Sequence, residues 1–159
     1  MVNIRLAAAD DISDIMKWNL EGEAFLKQWS NYEYPLTKQQ ILNRIRSEEY
    51  VMFSIEADEV SVGTIQLLKI DEEHHSARLG CFLIAPDCRG KGIGEEALML
   101  VMDTIFHSRN ITTFELGVFD YNKSAIRCYE KCGFVKEGQS IHPFGWTRYH
   151  MKTKKWRTI

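Results

Sequence analysis

The sequence predicts an α/β chain of the α+β kind: one mixed, mostly antiparallel sheet of six to seven strands flanked by about four helices, in the order β-α-α-β-β-β-α-β-α-β-β. Three observations carry this. The length of 159 residues, with 45% hydrophobic and 26% charged side chains, suits one compact domain over residues 1–159, since a chain this long buries about 70% of its unfolded surface and needs no disulfide or metal staple. Short strand-like runs cluster between residues 50 and 85 with only turn residues between them, which reads as an antiparallel meander. At Ile93 the hydrophobic period changes to that of a long helix, too apolar around its circumference to lie free on a surface.

The elements follow in order. Residues 4–8 form a first strand, and Asp10 and Asp11 offer N-caps to a helix carrying Ile12, Ile15, Met16 and Leu20 at helical spacing. Thr37-Lys38-Gln39-Gln40 matches a capping box, with Leu36 placed to staple onto Ile41 at the entry to a helix over residues 41–46. Strands are expected at 50–55, 62–70 and 77–85, the last stopped by Pro86. The helix from Ile93 buries Ala97, Leu98, Val101, Met102, Ile105 and Phe106 against the sheet. A strand at 112–118 precedes a helix over 122–132, capped by Asn122 and stopped by Gly133, and two strands close the chain near 134–140 and 146–154.

Composition excludes several function classes. Twenty Lys and Arg against 22 Asp and Glu leave a net charge of −2, unlike the basic excess of a dedicated nucleic-acid binder. No apolar run reaches 18 residues and Arg5 and Asp10 interrupt the start, so a cytosolic protein without membrane span or secretory signal is expected. Cys81, Cys88, Cys128 and Cys132 form no C-x-x-C pair and have no spaced histidine partners, which reads as free, partly buried thiols and no metal site. The basic tail of Arg148, Lys152, Lys154, Lys155 and Arg157 reads as a soluble edge strand.

The chemistry concentrates at Arg89-Gly90-Lys91-Gly92-Ile93-Gly94, a turn between a strand and the long helix. Glycines let the backbone approach a ligand, so successive N–H groups can converge on phosphate oxygens at the positive end of the helix dipole. Arg89 and Lys91 add charge, while Glu95 and Glu96 complement the dipole and are expected to point outward. The spacing G-x-G-x-G fits neither a P-loop nor a dinucleotide fingerprint.

The turn resembles the acyl-CoA pyrophosphate loop of the GCN5-related N-acetyltransferase (GNAT) superfamily, [QR]-x-x-G-x-[GA], satisfied by Arg89, Gly92 and Gly94. Residues 119–134 look like the superfamily's N-x-x-A-x-x-x-Y-x-x-x-G-F hallmark, with Asn122, Ala125, Tyr129, Gly133 and Phe134 all at correct spacing. Phe25 to Trp29 and Tyr34 to Thr37 are similar to a bacterial branch related to ribosomal-protein N-acetyltransferases. The resemblance implies direct transfer of acetyl from acetyl-CoA to a primary amine of a small molecule or peptide N-terminus, without a covalent acetyl-enzyme. It also implies that the strands ending near Ala85 and Val118 splay apart, with Leu83, Ile84 and Ala85 as backbone ligands of the pantetheine arm. The diphosphate then lies on Arg89, Gly90, Lys91, Gly92, Ile93 and Gly94, Asn122 contacts the arm while capping its helix, and Tyr129 is the general acid. The alternative on the same fold is a non-catalytic acyl-CoA sensor. A homodimer is compatible with either.

One position departs from the pattern: Arg78 stands where related sequences often show a catalytic glutamate. Deprotonating a lysine-type amine at pH 7 costs about 4.6 kcal/mol, an α-amine near 7.8 only about 1 kcal/mol, so a missing base favours α-amines or weakly basic acceptors. Glu115, Asp120, Glu73 and His74 are substitute bases or solvated surface groups. Trp18, Trp29, Tyr32, Tyr34, Phe144, Trp146 and Tyr149, with Glu21 and Glu23, either line an acceptor cleft or pack at the core edge.

Overall fold

A computed structural model describes residues 1–19, 29, 32–143 and 145–156. Leu20, Glu21, Glu23, residues 25–28, Phe144 and Arg157 lie outside the described residues. Strand β1 (Val2–Leu6) leads through a short 3-10 turn (Ala9–Asp11) into α1 (Ile12–Trp18). Helix α2 (Lys38–Arg46) precedes the meander β2 (Val51–Ala57), β3 (Val60–Asp71) and β4 (Ser76–Ile84). Then come α3 (Ile93–Arg109), β5 (Thr113–Phe119), α4 (Lys123–Lys131), β6 (Phe134–Ile141) and β7 (Thr147–Thr153). All seven strands form one sheet ordered β1-β2-β3-β4-β5-β7-β6, antiparallel except for the parallel pair β4–β5.

The first strand begins two residues earlier than its apolar pattern implied, because Val2 and Asn3 pair with Ala57 and Glu56 of β2, and it ends at Leu6, where Asp11 holds the chain behind it. Asp11 accepts two bonds from Arg5, Nη1 and Nη2 at 2.8 Å each, and a third from the Ala8 N–H at 2.8 Å. Its carboxylate is therefore spent backwards on β1, not forwards as a helix cap. Thr37 does cap α2, its Oγ1 accepting from the Gln40 N–H at 3.2 Å, but the reciprocal half of the box is missing. Gln40 turns to the Glu33 and Pro35 carbonyls instead.

The sheet carries a core on each face. Ile65, Leu67, Leu79, Leu116, Phe134 and Met151 pack against α3 and α4, and Ile12, Ile15, Ile41, Met52, Cys81 and Leu83 pack around α1 and α2. Under α2, the buried Arg44 donates to Gln66 Oε1 at 2.9 Å and lies 4.1 Å and 3.9 Å from the Tyr32 and Tyr50 ring centres. The basic C-terminal strand is a correction to the sequence reading: β7 is interior, hydrogen-bonded to β5 on one side and β6 on the other. Its alternation puts Met151 in the core while Arg148, His150 and Lys152 share the opposite face.

Candidate active site

Strands β4 and β5 pair only at Ser76–Thr113, Ala77–Phe114 and Arg78–Glu115. Beyond Arg78, β4 stays with β3 and β5 stays with β7, so the two strands diverge into a cleft closed at Arg78 and open toward Ile84 and Phe119. A bulge shapes the β4 wall. Thr64 pairs with Leu83 and Gln66 with Gly80, so β4 spends three steps where β3 spends two, and Cys81 takes a positive φ of 50°. The extra residue switches the strand's facing: Leu79 lies in the α3 core, Cys81 and Leu83 in the α1 core.

The bulge also decides which backbone groups are free. The Ala85 N–H donates to the Val62 carbonyl at 2.7 Å, and antiparallel alternation turns the Leu83 amide groups toward β3 as well. Ile84 and Phe82 face the open edge. The Ile84 carbonyl there accepts from Arg89 Nε at 2.9 Å. Of the three expected backbone ligands, Leu83 and Ile84 line the cavity, Leu83 with its amide groups turned to β3 and Ile84 with its carbonyl on Arg89, and Ala85 does not line it. Phe82, which the sequence did not single out, lies on the free edge.

A cavity of about 530 Å³ runs from this edge to the N-terminus of α3 and along α4. Gly90 (φ 76°) and Gly92 (φ 78°) hold left-handed conformations in its wall, and a Cβ on either would meet nothing within 4 Å. These glycines are thus required by backbone conformation and by access to their amides, not by packing. Arg89, Gly90, Gly92, Ile93 and Gly94 line the cavity, while Lys91 is exposed at the tip of the turn and does not. Glu96 points outward as expected, but Glu95 lines the cavity, and its carbonyl lies 3.8 Å from Cys132 Sγ.

A second, smaller cavity of about 60 Å³ sits in the splay itself, walled by Gly80, Cys81, Gly117 and Phe119. Phe82, Asn122 and Tyr129 line both cavities and stand at their junction. Asn122 caps α4, its Oδ1 accepting from the Ala125 N–H at 3.3 Å, which leaves its amide N–H2 toward the cavities. The Tyr129 ring is buried, 6.3 Å from Phe82 and 5.8 Å from Phe134 between ring centres. Its hydroxyl has no protein partner among the described residues, yet is not sealed away as Asn19 Oδ1 and Trp29 Nε1 are. Burial, with the nearby Cys128 and Cys132, pushes the phenol far above its ordinary value. A hydrogen bond between the two free thiols holds Cys128 below the usual cysteine range against the effect of burial and, together with burial, pushes Cys132 above it.

The substitute bases separate by position. Glu115 lies beside the cleft but sits 3.9 Å from Arg78. Glu73 and His74 are in the β3–β4 hairpin, behind the closed end, where His74 binds Asp71 at 2.8 Å. Asp120 follows β5 at the open end. Of the aromatic residues, Trp29 and Tyr32 are core under α2, 5.0 Å apart, and Tyr34 is exposed. Trp146 joins Phe119, Tyr121 and His142 in a ring cluster at the cleft mouth, whereas Tyr149 lies on the other face under Lys136.

A V-shaped opening between two parallel strands, ending at a glycine turn on a helix N-terminus, is the architecture of an acyl-CoA-dependent transferase. The profile of the acetyltransferase (GNAT) family matches residues 14–134, and the chain belongs to that family. It is an N-acetyltransferase with acetyl-CoA as co-substrate. It is 29% identical to the spermidine N(1)-acetyltransferase of Escherichia coli (strain K12) over 85% of this chain and 68% of that one. The probable N-acetyltransferase YjcK of Bacillus subtilis (strain 168) is 37% identical over 60% of this chain and 54% of its own length. Among solved structures, spermidine N-acetyltransferase from Vibrio cholerae in complex with CoA and spermine superposes with a TM-score of 0.80 at 25% identity, covering 95% of this chain and 94% of the other. No helix among the described residues is long and apolar enough to cross a membrane.

Proposed function

We propose that a single domain over residues 1–159 transfers acetyl from acetyl-CoA directly to a primary amine of a small molecule or a peptide N-terminus. The observation that carries this reading is that Tyr129 and Asn122 line both the 530 Å³ cavity and the splay cavity, so one pair of side chains touches both substrates' compartments. Acetyl-CoA supplies an acyl group activated as a thioester. The main-chain N–H groups of Gly90, Gly92, Ile93 and Gly94 hold its diphosphate at the positive end of α3, with Arg89 and Lys91 adding charge. The free edge of β4 at Phe82 and Ile84 binds the pantetheine arm as an added strand, in place of the three consecutive residues expected from the sequence. An N–H on this edge also stabilises negative charge on the acyl oxygen.

Tyr129 serves the leaving sulfur. Its raised phenol stays protonated throughout the working range. Complete proton transfer to a thiolate of ordinary value about 8.5 runs uphill, so the phenol acts chiefly by donating a hydrogen bond as negative charge develops on sulfur. The carboxylate beside the cleft, Glu115, has Arg78 3.9 Å away and is poorly placed to take the amine proton, which leaves Asp120 at the open end as the substitute base. An acceptor that enters at least partly neutral asks less of that base, which favours amines of low pKa.

The relatives named for spermidine put polyamines in the acceptor panel beside less basic amines. Incubating the protein with acetyl-CoA and an amine panel, reading free thiol and product mass together, tests the proposal. Acetylated amine appearing in step with thiol is expected. Tight CoA binding with no acetylated product from any amine contradicts catalysis and leaves the acyl-CoA sensor.

A further inference from the structure

The acceptor side of the cleft carries a charge arrangement that acyl transfer alone does not require. Leu116, Val118 and Met151 face α3 and α4, so Glu115, Gly117 and Phe119 of β5 share the opposite face with their β7 partners Lys152, His150 and Arg148. Arg148 reaches diagonally across this face and lays its guanidinium over Gly117: a Cβ there would collide with Arg148 Nε, Nη2 and Cζ. Gly117 walls the splay cavity together with Cys81 and Tyr129. The one position of β5 without a side chain is thus the one that lets a guanidinium lie over the strand that walls the splay cavity, on the face turned away from α3 and α4.

That guanidinium is half-buried, and among the described residues no carboxylate pairs with it. Burial, with the like charge of Arg78, pushes Arg148 below its usual value. Glu115, 45% exposed, is the acidic group that β5 and β7 place on this face, and it sits 3.9 Å from Arg78. Among the described residues of β4, β5 and β7, Arg78, Arg148 and Lys152 outnumber Glu115 here, and His150 is occupied by Ser140 Oγ at 3.0 Å. A partly desolvated guanidinium without an anion is unfavourable, and its planar fork matches an oxyanion in bidentate geometry. A polyamine would bring only more positive charge to these groups.

The geometry points to an acceptor that carries a carboxylate near its amine, with Arg148, backed by Arg78 and admitted by Gly117, as the residue that selects it. This rests on the transferase reading and narrows its substrate class to amino acids and related amino carboxylates.

Matched pairs with and without the carboxylate test it: tyrosine against tyramine and histidine against histamine, with spermidine as the polycation and aminomethylphosphonate as the other oxyanion. In the native protein the carboxylate members are expected to lead in kcat/KM on the order of 10- to 100-fold, the range for a hydrogen bond to a charged group. A lead by the phosphonate over glycine reassigns the site to phosphonates and overturns the carboxylate claim. Arg148→Met should collapse the ratio to within about 3-fold, through KM more than kcat, and Arg148→Lys should restore part of it. Gly117→Ala, which keeps the arginine but displaces it, should collapse it too. Equal use of both members, preference for spermidine, or an undiminished ratio in folded Arg148→Met protein overturns the inference. If no amine is turned over, the transferase reading fails separately. Calorimetric binding of tyrosine to the CoA-loaded protein then decides this one: binding that disappears in Arg148→Met supports it, and no binding in the native protein overturns it.

Discussion

Replacing Gly92 with alanine separates fold from ligand binding at one atom. The residue holds φ 78° at the N-cap of α3, and a Cβ there would meet nothing within 4 Å, so the substitution adds no clash. The stability cost is conformational alone, about 1–2 kcal/mol for a left-handed L-residue. At about 2–4 °C per kcal/mol for a chain of this size, Tm should fall by about 2–8 °C. Coenzyme A should lose more, because relaxing φ turns the amides at the start of α3 away from the diphosphate. Losing one charge-assisted bond of about 1.5–3 kcal/mol weakens Kd about 10- to 150-fold. Calorimetric titration with CoA and a thermal melt on the same sample give both numbers. Gly138→Ala, on β6 away from the cavities and also clear of contacts, is the control and should move neither by much. A Gly92→Ala protein with the expected drop in Tm but a CoA affinity within about 2-fold of native would refute the phosphate-turn reasoning.

Tyr129→Phe keeps the ring packing against Phe82 and Phe134 but removes the donor, so kcat should fall about 10²- to 10³-fold with CoA affinity nearly unchanged; an unaltered kcat removes Tyr129 from the reaction. At Asp11, burial raises the carboxyl, but bonds from Arg5, Ala8 and Ser54 outweigh it and hold it below its usual 3.8. A depressed carboxyl stabilises the fold above its unfolded value and loses that contribution as pH falls through the folded one. Asp11→Asn should therefore cost roughly 2 kcal/mol at pH 7, discounted because Arg5 is 41% exposed, lowering Tm by about 4–8 °C, and the native–variant gap should close below about pH 4; a gap independent of pH contradicts the pairing. Cys128, lowered by its hydrogen bond with Cys132 and lining the cavity, should be alkylated faster than Cys132 and be protected by CoA; modification unaffected by CoA would contradict its placement.

Local chemistry made most elements legible. Asn122 and Thr37 mark the starts of α4 and α2 because caps act within three residues, and the glycine turn at 90–94 is readable because left-handed backbone selects glycine directly. What escaped the sequence depends on distant pairing. The bulge at Cys81 is a mismatch of counts between β3 and β4, and it decides that Ile84 and Phe82 lie with their backbone toward the open edge while Leu83 and Ala85 bond to β3. The insertion of β7 between β5 and β6 makes an expected edge strand an interior one, so Arg148, which reads locally as part of a solvated tail, lies over Gly117. Glu95 reads as a dipole partner locally, and the packing of α4 beside the N-terminus of α3 is what brings it to the cavity. The family motif of Asn122, Ala125, Tyr129, Gly133 and Phe134 was legible from spacing, whereas the acceptor face, built from β4, β5 and β7 together, was not.

The central claim is that one cofactor spans from the amides of residues 90–94 to the hydroxyl of Tyr129. A crystal structure of the native protein with coenzyme A tests it most directly. The account predicts diphosphate oxygens on the amides at the start of α3, the pantetheine arm along Phe82 and Ile84, and the sulfur within hydrogen-bond reach of the Tyr129 hydroxyl. Coenzyme A bound outside the 530 Å³ cavity, or with its sulfur remote from Tyr129, would contradict it.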